Sequence, residues 1–433
     1  MVKMKDSGIE WCGQIPEHWK VMPNKYVMFK KKEICPIYTG QDILSLTMGG
    51  VIVRDLDAGG KMPTTFNGYQ KVHPNNLLMC LFDYDVTPRC IGLIKNEGLT
   101  SPAYSQFVMK DENDSRYYYF YYLMIDHTKE LLHLAKNLRH SFTEEQLGTI
   151  NTPVPPVNEQ RKIADFLDKK CNETDKLYSD IQKQIEILEE YKKSVITEIV
   201  TKGLNPDVEM KDSGVEWIGK IPKDWNLNKI KYLFENRKGL SITKDNLIDD
   251  GLPVVSYGQI HSKINTGVNI KSELLRFVDF SYLSFYPQCE VFKYDFIFAD
   301  TSEDYEGCGN CVYKRDDGIL FAGYHSIILH SKLNQDNRYF AYLFKTDCWR
   351  KQLREVASGV KLFSISQKSL INSSVIVPSF EEQQEIADYL DEKCTVIDEL
   401  IKDKKEQLEV LEQYKKSLIY EYVTGKKTVT EEE

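Results

Sequence analysis

The 47 residues from Pro155 to Thr201 occur twice in this chain, and a duplication of that length leaves few architectures open. The second copy runs from Pro378 to Thr424, at a constant offset of 223 residues, with no gap and with 25 positions identical. Two copies at so long a period do not make a solenoid. They make a duplicated unit with one long helix per copy.

Spacing supports the helices. Ile163, Leu167, Leu177, Ile181, Leu188 and Val195 recur at threes, fours and sevens, as do Ile386, Leu390, Ile397, Leu400, Leu411 and Leu418. This is a coiled-coil seam with charges at the other positions. After the opening prolines no Gly or Pro interrupts either copy, and Gly203 and Gly425 follow as stops. Glu159 to Thr201 predicts roughly 65 Å of helix. A helix so polar around its circumference buries little inside one domain, but it can bury a seam against its twin. Antiparallel packing of the two would give the halves pseudo-twofold symmetry.

A second repeat frames the first. MKDSGIEWCGQIPEHWK at Met4–Lys20 returns as MKDSGVEWIGKIPKDWN at Met210–Asn226. The order is therefore box, variable domain, long helix, then the same again, with segments at 1–152, 153–203, 204–377 and 378–426 and a disordered tail at 427–433. Trp11 and Trp19 match Trp217 and Trp225 and read as aromatic anchors docking each box onto a helix end. Between box and helix, Val21–Asn151 and Leu227–Val377 carry short apolar runs broken by Gly, Pro, Asn and Asp, which read as strands and turns. Each then offers one helix, RYYYFYYLMIDHTKELLHLAKN in the first and RYFAYLFKTDCWRKQLREVAS in the second. The class is α+β, with conserved frames around divergent loops.

Several functions are set aside. No GxxxxGK[ST] phosphate loop occurs, and neither Asn/Asp-Pro-Pro-aromatic nor a Gly-rich loop suited to a methyl donor is present. Cys308 and Cys311 form a CGNC pair with His325 and His330 downstream, but the two histidines would face opposite sides of a strand, so zinc is not expected. Ten cysteines without framework spacing fit reduced thiols, and no apolar run is long enough to span a bilayer, so a cytoplasmic location is expected. A net charge of −9 argues mildly against nucleic acid, although local clusters matter more than the sum.

The twin segments PPVNEQRKIADFLD and VPSFEEQQEIADYLD, the twin EYKKS and QYKKS, the boxes MKDSGIEW and MKDSGVEW, and SYGQIHSK, DTSED, CGNC and FAGYHSI together resemble the specificity subunits of type I restriction–modification enzymes. The resemblance spans nearly the whole chain. It implies two target-recognition domains joined by a two-helix antiparallel coiled coil, each reading one half of a bipartite, gapped site on double-stranded DNA. It implies that the paired helices set the spacing and dock two modification (methyltransferase) subunits, and that two restriction (motor-nuclease) subunits can join. The chain itself would be non-catalytic and hold no cofactor, with S-adenosylmethionine, ATP and magnesium bound by partners. A scaffold that holds two protein partners without touching DNA is the alternative.

Candidate contacts follow. Lys20, Lys25, Lys30, Lys31 and Lys32, with Lys229, Lys231, Arg237, Lys238 and Lys244, form basic clusters suited to phosphates. For base edges the candidates are Thr47, Arg54, Lys61, Arg89, Arg139 and Ser141 in the first domain, and Tyr257, Gln259, His261, Ser262, Lys263, Lys361 and Ser364 in the second. Gln259 would address adenine and Lys263 guanine. Candidates for partner docking are the duplicated helix positions Glu159, Gln160, Asp165, Asp168, Tyr191 and Lys192, with Glu382, Gln383, Asp388, Asp391, Tyr414 and Lys415.

Overall fold

The computed structural model describes residues 3–58, 63–135 and 140–430. The chain divides into two compact units, Met1–Lys183 with Lys405–Glu433, and Gln184–Lys404. This division cuts across the linear segments: each unit holds one α+β domain and a stretch of both long helices, Val157–Lys202 and Phe380–Val423.

In the first unit the start of the first long helix lies antiparallel to the end of the second. Phe166 meets Tyr422 with ring centroids 4.4 Å apart, and Asp175 pairs with Lys415. In the second unit the end of the first helix meets the start of the second, and Lys192 pairs with Asp398 at 2.6 Å. The seam buries Ile163, Leu167, Ile181, Ile386, Leu390, Ile397 and Leu418, each such side chain contributing about 1.5–3 kcal/mol. Leu177 and Leu400, expected in the seam, are instead about half exposed. The 3.6-residue turn drifts from a strict heptad, and both leave the contact line at the same duplicated position.

Each domain is built on one four-stranded sheet of the same plan, antiparallel in every pairing. In the first unit the order is Met28–Lys31, Ser105–Met109, Leu77–Met79, Ile91–Leu93. In the second it is Phe234–Lys238, Ser326–Ser331, Phe296–Ala299, Cys311–Tyr313. Each sheet is followed by an aromatic helix, and both of the single helices expected there are broken. Ser115–Thr128 ends where Lys129 turns left-handed, and a 3₁₀ turn at Glu130–Leu134 follows. Asn337–Lys345 ends at Thr346, whose hydroxyl caps a new helix, Asp347–Glu355.

The frame contacts explain the duplicated polar residues. Trp19, buried in the first unit, donates its indole N–H to Glu159 Oε2 at 2.8 Å, and Trp225 does the same to Glu382 at 3.1 Å. Gln160 Oε1 accepts from the backbone N–H of Asp114 (2.9 Å), and Gln383 Oε1 from that of Asp336 (3.0 Å). These aspartates cap the aromatic helices. Arg116 reaches Asp165 at 2.6 Å and Asp168 at 3.2 Å; Arg338 reaches Asp388 at 2.6 Å and Asp391 at 3.3 Å. Tyr117 donates to the carbonyl of Val423 and Tyr339 to that of Val200, each tying the aromatic helix to the last turn of a long helix within its own unit.

The partner-docking expectation is corrected accordingly. Glu159, Gln160, Asp165 and Asp168, with Glu382, Gln383, Asp388 and Asp391, fasten each domain to its own long helix, while Lys192 and Lys415 hold helix to helix. Of that set Asp165, Asp388, Tyr191 and Tyr414 stand exposed, and of these four the two tyrosines are the ones without a role in fastening a domain to its helix. The tail also differs from expectation: Lys427 bonds to Glu421 through backbone and side chain, and Val429 packs on the first core, so these residues are held by contacts. Residues 431–433 lie outside the described residues.

Candidate nucleic-acid interface

In the second unit two loops far apart in sequence meet. Ser256 opens the helical turn Tyr257–Ile260. At its end His261 places Nε2 2.8 Å from the Thr301 carbonyl and Nδ1 3.1 Å from the Asn310 side-chain amide. Both ring nitrogens are thus engaged by the domain itself, which fixes the orientation of the imidazole. Thr301–Ser302 pairs antiparallel with Phe363–Ser364, so Ser364 lies beside the strand that His261 holds. His325, with φ +54°, adds an imidazole 3.1 Å from Asp300 Oδ1, and Tyr257 sits edge-on to both histidines and to Tyr324. Of the second-domain candidates, Tyr257, His261 and Ser364 thus converge, and Lys263 and Lys361 stand exposed on the adjoining loops.

Two roles expected there are corrected. Gln259 Oε1 accepts from the backbone N–H of Ser256 (3.2 Å) and closes a capping box. An adenine contact would require that same oxygen as acceptor, so Gln259 builds the turn and does not reach out from it. Both ring nitrogens of His261 are likewise engaged inside the domain. Ser262 is half-buried below Lys263. Sequence reasoning passed over Asp300, Thr301, Asn310 and His325 as site residues, although each lies in one of the segments DTSED, CGNC and FAGYHSI that marked the family likeness.

No comparable meeting occurs among the described first-domain candidates. Thr47 ends one strand of the hairpin Leu44–Thr47/Gly50–Val53, and its hydroxyl donates to the Gly50 carbonyl to close the two-residue turn. That turn needs the positive φ of Gly50 (+96°). The hairpin exposes Met48, Ile52 and Val53, and a two-stranded ribbon of this kind fits the DNA major groove. Arg54 sits at the hairpin base, where its N–H donates to the Ile43 carbonyl. Arg89 is a correction: it is mostly buried and its guanidinium lies 3.8 Å from the buried carboxylate of Asp126, which also binds Lys129. Ser141 is half-buried. Lys61 and Arg139 lie outside the described residues.

The basic clusters divide similarly. Arg237 is committed to Asp295 and the Gln288 carbonyl, Lys30 lies near Glu144, and Lys31 near Glu33. Lys20, Lys25, Lys32, Lys229, Lys238 and Lys244 are exposed, and Lys231 stacks its ammonium 5.1 Å over Tyr232. Cys308 and Cys311 are buried thiols, and burial pushes Cys311 up to about 12, so it is not a thiolate at neutral pH. His330 binds Asp295 at 2.6 Å and His325 binds Asp300, so neither histidine turns to the cysteine pair.

A family model described as the type I restriction modification DNA specificity domain matches residues 91–187 and 222–410, more than half of the chain. The chain belongs to that family. Among curated relatives, the type I restriction enzyme MjaVIII specificity subunit of Methanocaldococcus jannaschii is 28% identical over 64% of this chain and 62% of its own length. A putative MjaX specificity subunit of the same organism is 26% identical over 96% of this chain and 95% of its own. The fold is shared with a chain solved in work on complex assembly and conformational transition of the type I R-M system. That match has a TM-score of 0.70 at 13% identity and covers 94% of this chain and 98% of that one. It is shared also with the HsdS subunit of Thermoanaerobacter tengcongensis, with a TM-score of 0.52 at 14% identity over 95% and 98% of the two chains.

Proposed function

We propose that this chain is the sequence-reading subunit of a type I restriction–modification assembly, each recognition domain reading one half of a gapped site on double-stranded DNA. One observation carries the reading. The frame contacts repeat between units to within a few tenths of an ångström, while the loops that would face bases differ completely. A frame held constant around divergent loops suits two readers of different sequence on a common mount. Linking them raises the effective concentration of the second once the first has docked. Half-sites about one helical turn, ~34 Å, apart would let both read one side of the duplex, with the long helices setting the unread gap.

The partners in this reading are two modification subunits, which bring S-adenosylmethionine and the methyl-transfer chemistry. Restriction subunits can join them with ATP and magnesium. Duplicated exposed residues support two equivalent docking places, one per unit: Leu177, Val410 and Tyr414 in the first, and Leu400, Ile187 and Tyr191 in the second. Such exposed apolar residues at repeated positions mark a protein contact better than a solvated face. The assembly would work in the cytoplasm, where the DNA is.

The test is genome-wide mapping of methylated bases in a host carrying this subunit and its modification partner, repeated after Val21–Asn151 is exchanged for the matching segment of a relative. One half of the methylated site should change and the other should persist. A change in both halves, or methylation without a defined site, would sink the reading. Binding of the assembled complex to DNA should also weaken steeply with salt; a flat response would favour the scaffold.

A further inference from the structure

The second unit contains a cavity of about 290 Å³ between the first long helix and the loop that follows His261. Three cations line it: Lys193 from the helix, Lys345 from the end of the aromatic helix, and Arg350 from the helix after it. Lys345 is largely buried, its stem lying 3.8 Å from where a side chain on Gly267 would begin. Among the described residues its ammonium makes no hydrogen bond or ion pair. That is costly, because a buried charge is ordinarily paired. Burial, and then the positive charge of Lys192, lowers its pKa to about 8, so it remains mostly charged at neutral pH.

The surroundings do not supply the missing anion. Asp347 is the one carboxylate among the lining residues; it is bonded to Arg354 at 2.8 Å and lies 4.0 Å from Arg350, so none of it is left for Lys345. Asp398 is held by Lys192 through both oxygens. Ser262 and Thr266 add hydroxyls at the wall. Arg350 already donates to the carbonyls of Cys308 and Glu306, so Lys345 and Lys193, with the wall hydroxyls, are the groups left to meet a tetrahedral oxyanion of multiple charge; a single carboxylate would leave part of their positive charge unanswered. The volume also exceeds that of one phosphate, leaving room for the group that carries it.

The first unit shows what removes such a site. There the duplicated lysines Lys415 and Lys416 approach His127, together with Arg89. Burial first, and then Arg89 and Lys416, push His127 down to about 4, so it is neutral at pH 7 and no buried cation awaits a partner. Lys415 pairs with Asp175 and Lys416 with Glu412.

We infer that the cavity in the second unit binds a phosphoryl anion, one per chain, at Lys345 and Lys193. This does not rest on the reading of DNA sequence, and it can fail while that reading stands.

The test is calorimetric titration and thermal unfolding of the full chain with inorganic phosphate and pyrophosphate, against chloride at matched ionic strength. Saturable binding at one site is expected. Lys345→Met should weaken it at least tenfold without lowering the melting temperature of the ligand-free chain. Lys193→Gln, at the exposed mouth where folding is not at risk, should weaken it about threefold. No saturable binding, two equivalent sites, or binding unchanged in both variants would overturn the inference. DNA anisotropy distinguishes the source. Phosphate that displaces DNA from wild type but not from Lys345→Met identifies the group as a backbone phosphate. Phosphate that binds without changing DNA affinity identifies a free phosphorylated molecule.

Discussion

The two units share a frame and differ in how tightly they lock it. In the first, Arg116 is held by Asp114 and Asp165, and Asp168 receives only its remaining N–H at 3.2 Å. Burial dominates there and raises the pKa of Asp168. In the second, the equivalent Asp391 gains Arg315 through both oxygens and the hydroxyl of Tyr342 at 2.7 Å. Burial again pushes upward, but these bonds outweigh it and Asp391 lies below the ordinary carboxylate range. The same position in a duplicated motif is thus a net cost in one unit and a net gain in the other. Duplication preserves geometry; the energy of each contact is set by neighbours from the diverged domain.

Four experiments would break or sharpen this comparison. The largest effect is expected from Trp19→Ala and Trp225→Ala. Both rings are buried and hydrogen-bonded, so each should cost about 3–5 kcal/mol. Hydrogen exchange should show the loss confined to the unit that carries the change, and costs differing by more than about 1 kcal/mol would break the equivalence of the frames.

Gly425→Ala and Gly203→Ala come next. Both glycines have positive φ, +68° and +80°, which alone costs an L-residue about 1–2 kcal/mol. A side chain at Gly425 would also press on Pro16 and come within 2.8 Å of Trp19, whereas at Gly203 the nearest atom, on Trp225, is at 3.2 Å. Chemical denaturation should therefore rank Gly425→Ala as the more damaging.

Asp391→Asn should cost about 2 kcal/mol at pH 7, as expected for lost charged hydrogen bonds, and Asp168→Asn should stay within about 0.5 kcal/mol of wild type. Because the folded pKa of Asp391 is depressed, its contribution is complete above the usual value near 4 and is lost as pH falls through the lower folded value. Asp168 has the opposite sign: its folded pKa is raised, so protonation as pH falls through that value relieves a cost. Melting curves from pH 7 to 3 would show whether Asp391→Asn flattens the acid limb while Asp168→Asn leaves it.

The smallest effect on folding is expected from Leu177→Asp and Leu400→Asp, within about 0.5 kcal/mol because both side chains are exposed. If the proposed assembly with two modification subunits holds, each should nonetheless reduce the number bound from two to one, measurable by native mass. Retention of both would remove this face from the docking surface.

The duplicated helices were legible in the sequence because Ile163, Leu167, Ile386 and Leu390 obey a period that only a helix satisfies, and the box tryptophans because their repetition implied a shared contact. The breaks at Lys129 and Thr346 were not legible, since apolar residues continue past both and local backbone geometry decides where the helix stops. Gln259 and Arg89 misled for one reason: a polar side chain in a loop serves a base edge and a capped turn or a buried carboxylate with the same atoms. Only coordinates tell which partner it has. The polar knot around Thr301 needed a strand pairing between residues more than sixty positions apart, which no local pattern announces.

The second unit is one unbroken run of chain, and the first is not. Tyr117 waits for the carbonyl of Val423, and Cys12 offers its carbonyl to Lys426. The unit that opens the chain is therefore the last to be closed, and removal of Lys405–Glu433 would leave it without its latch while the second unit keeps every residue.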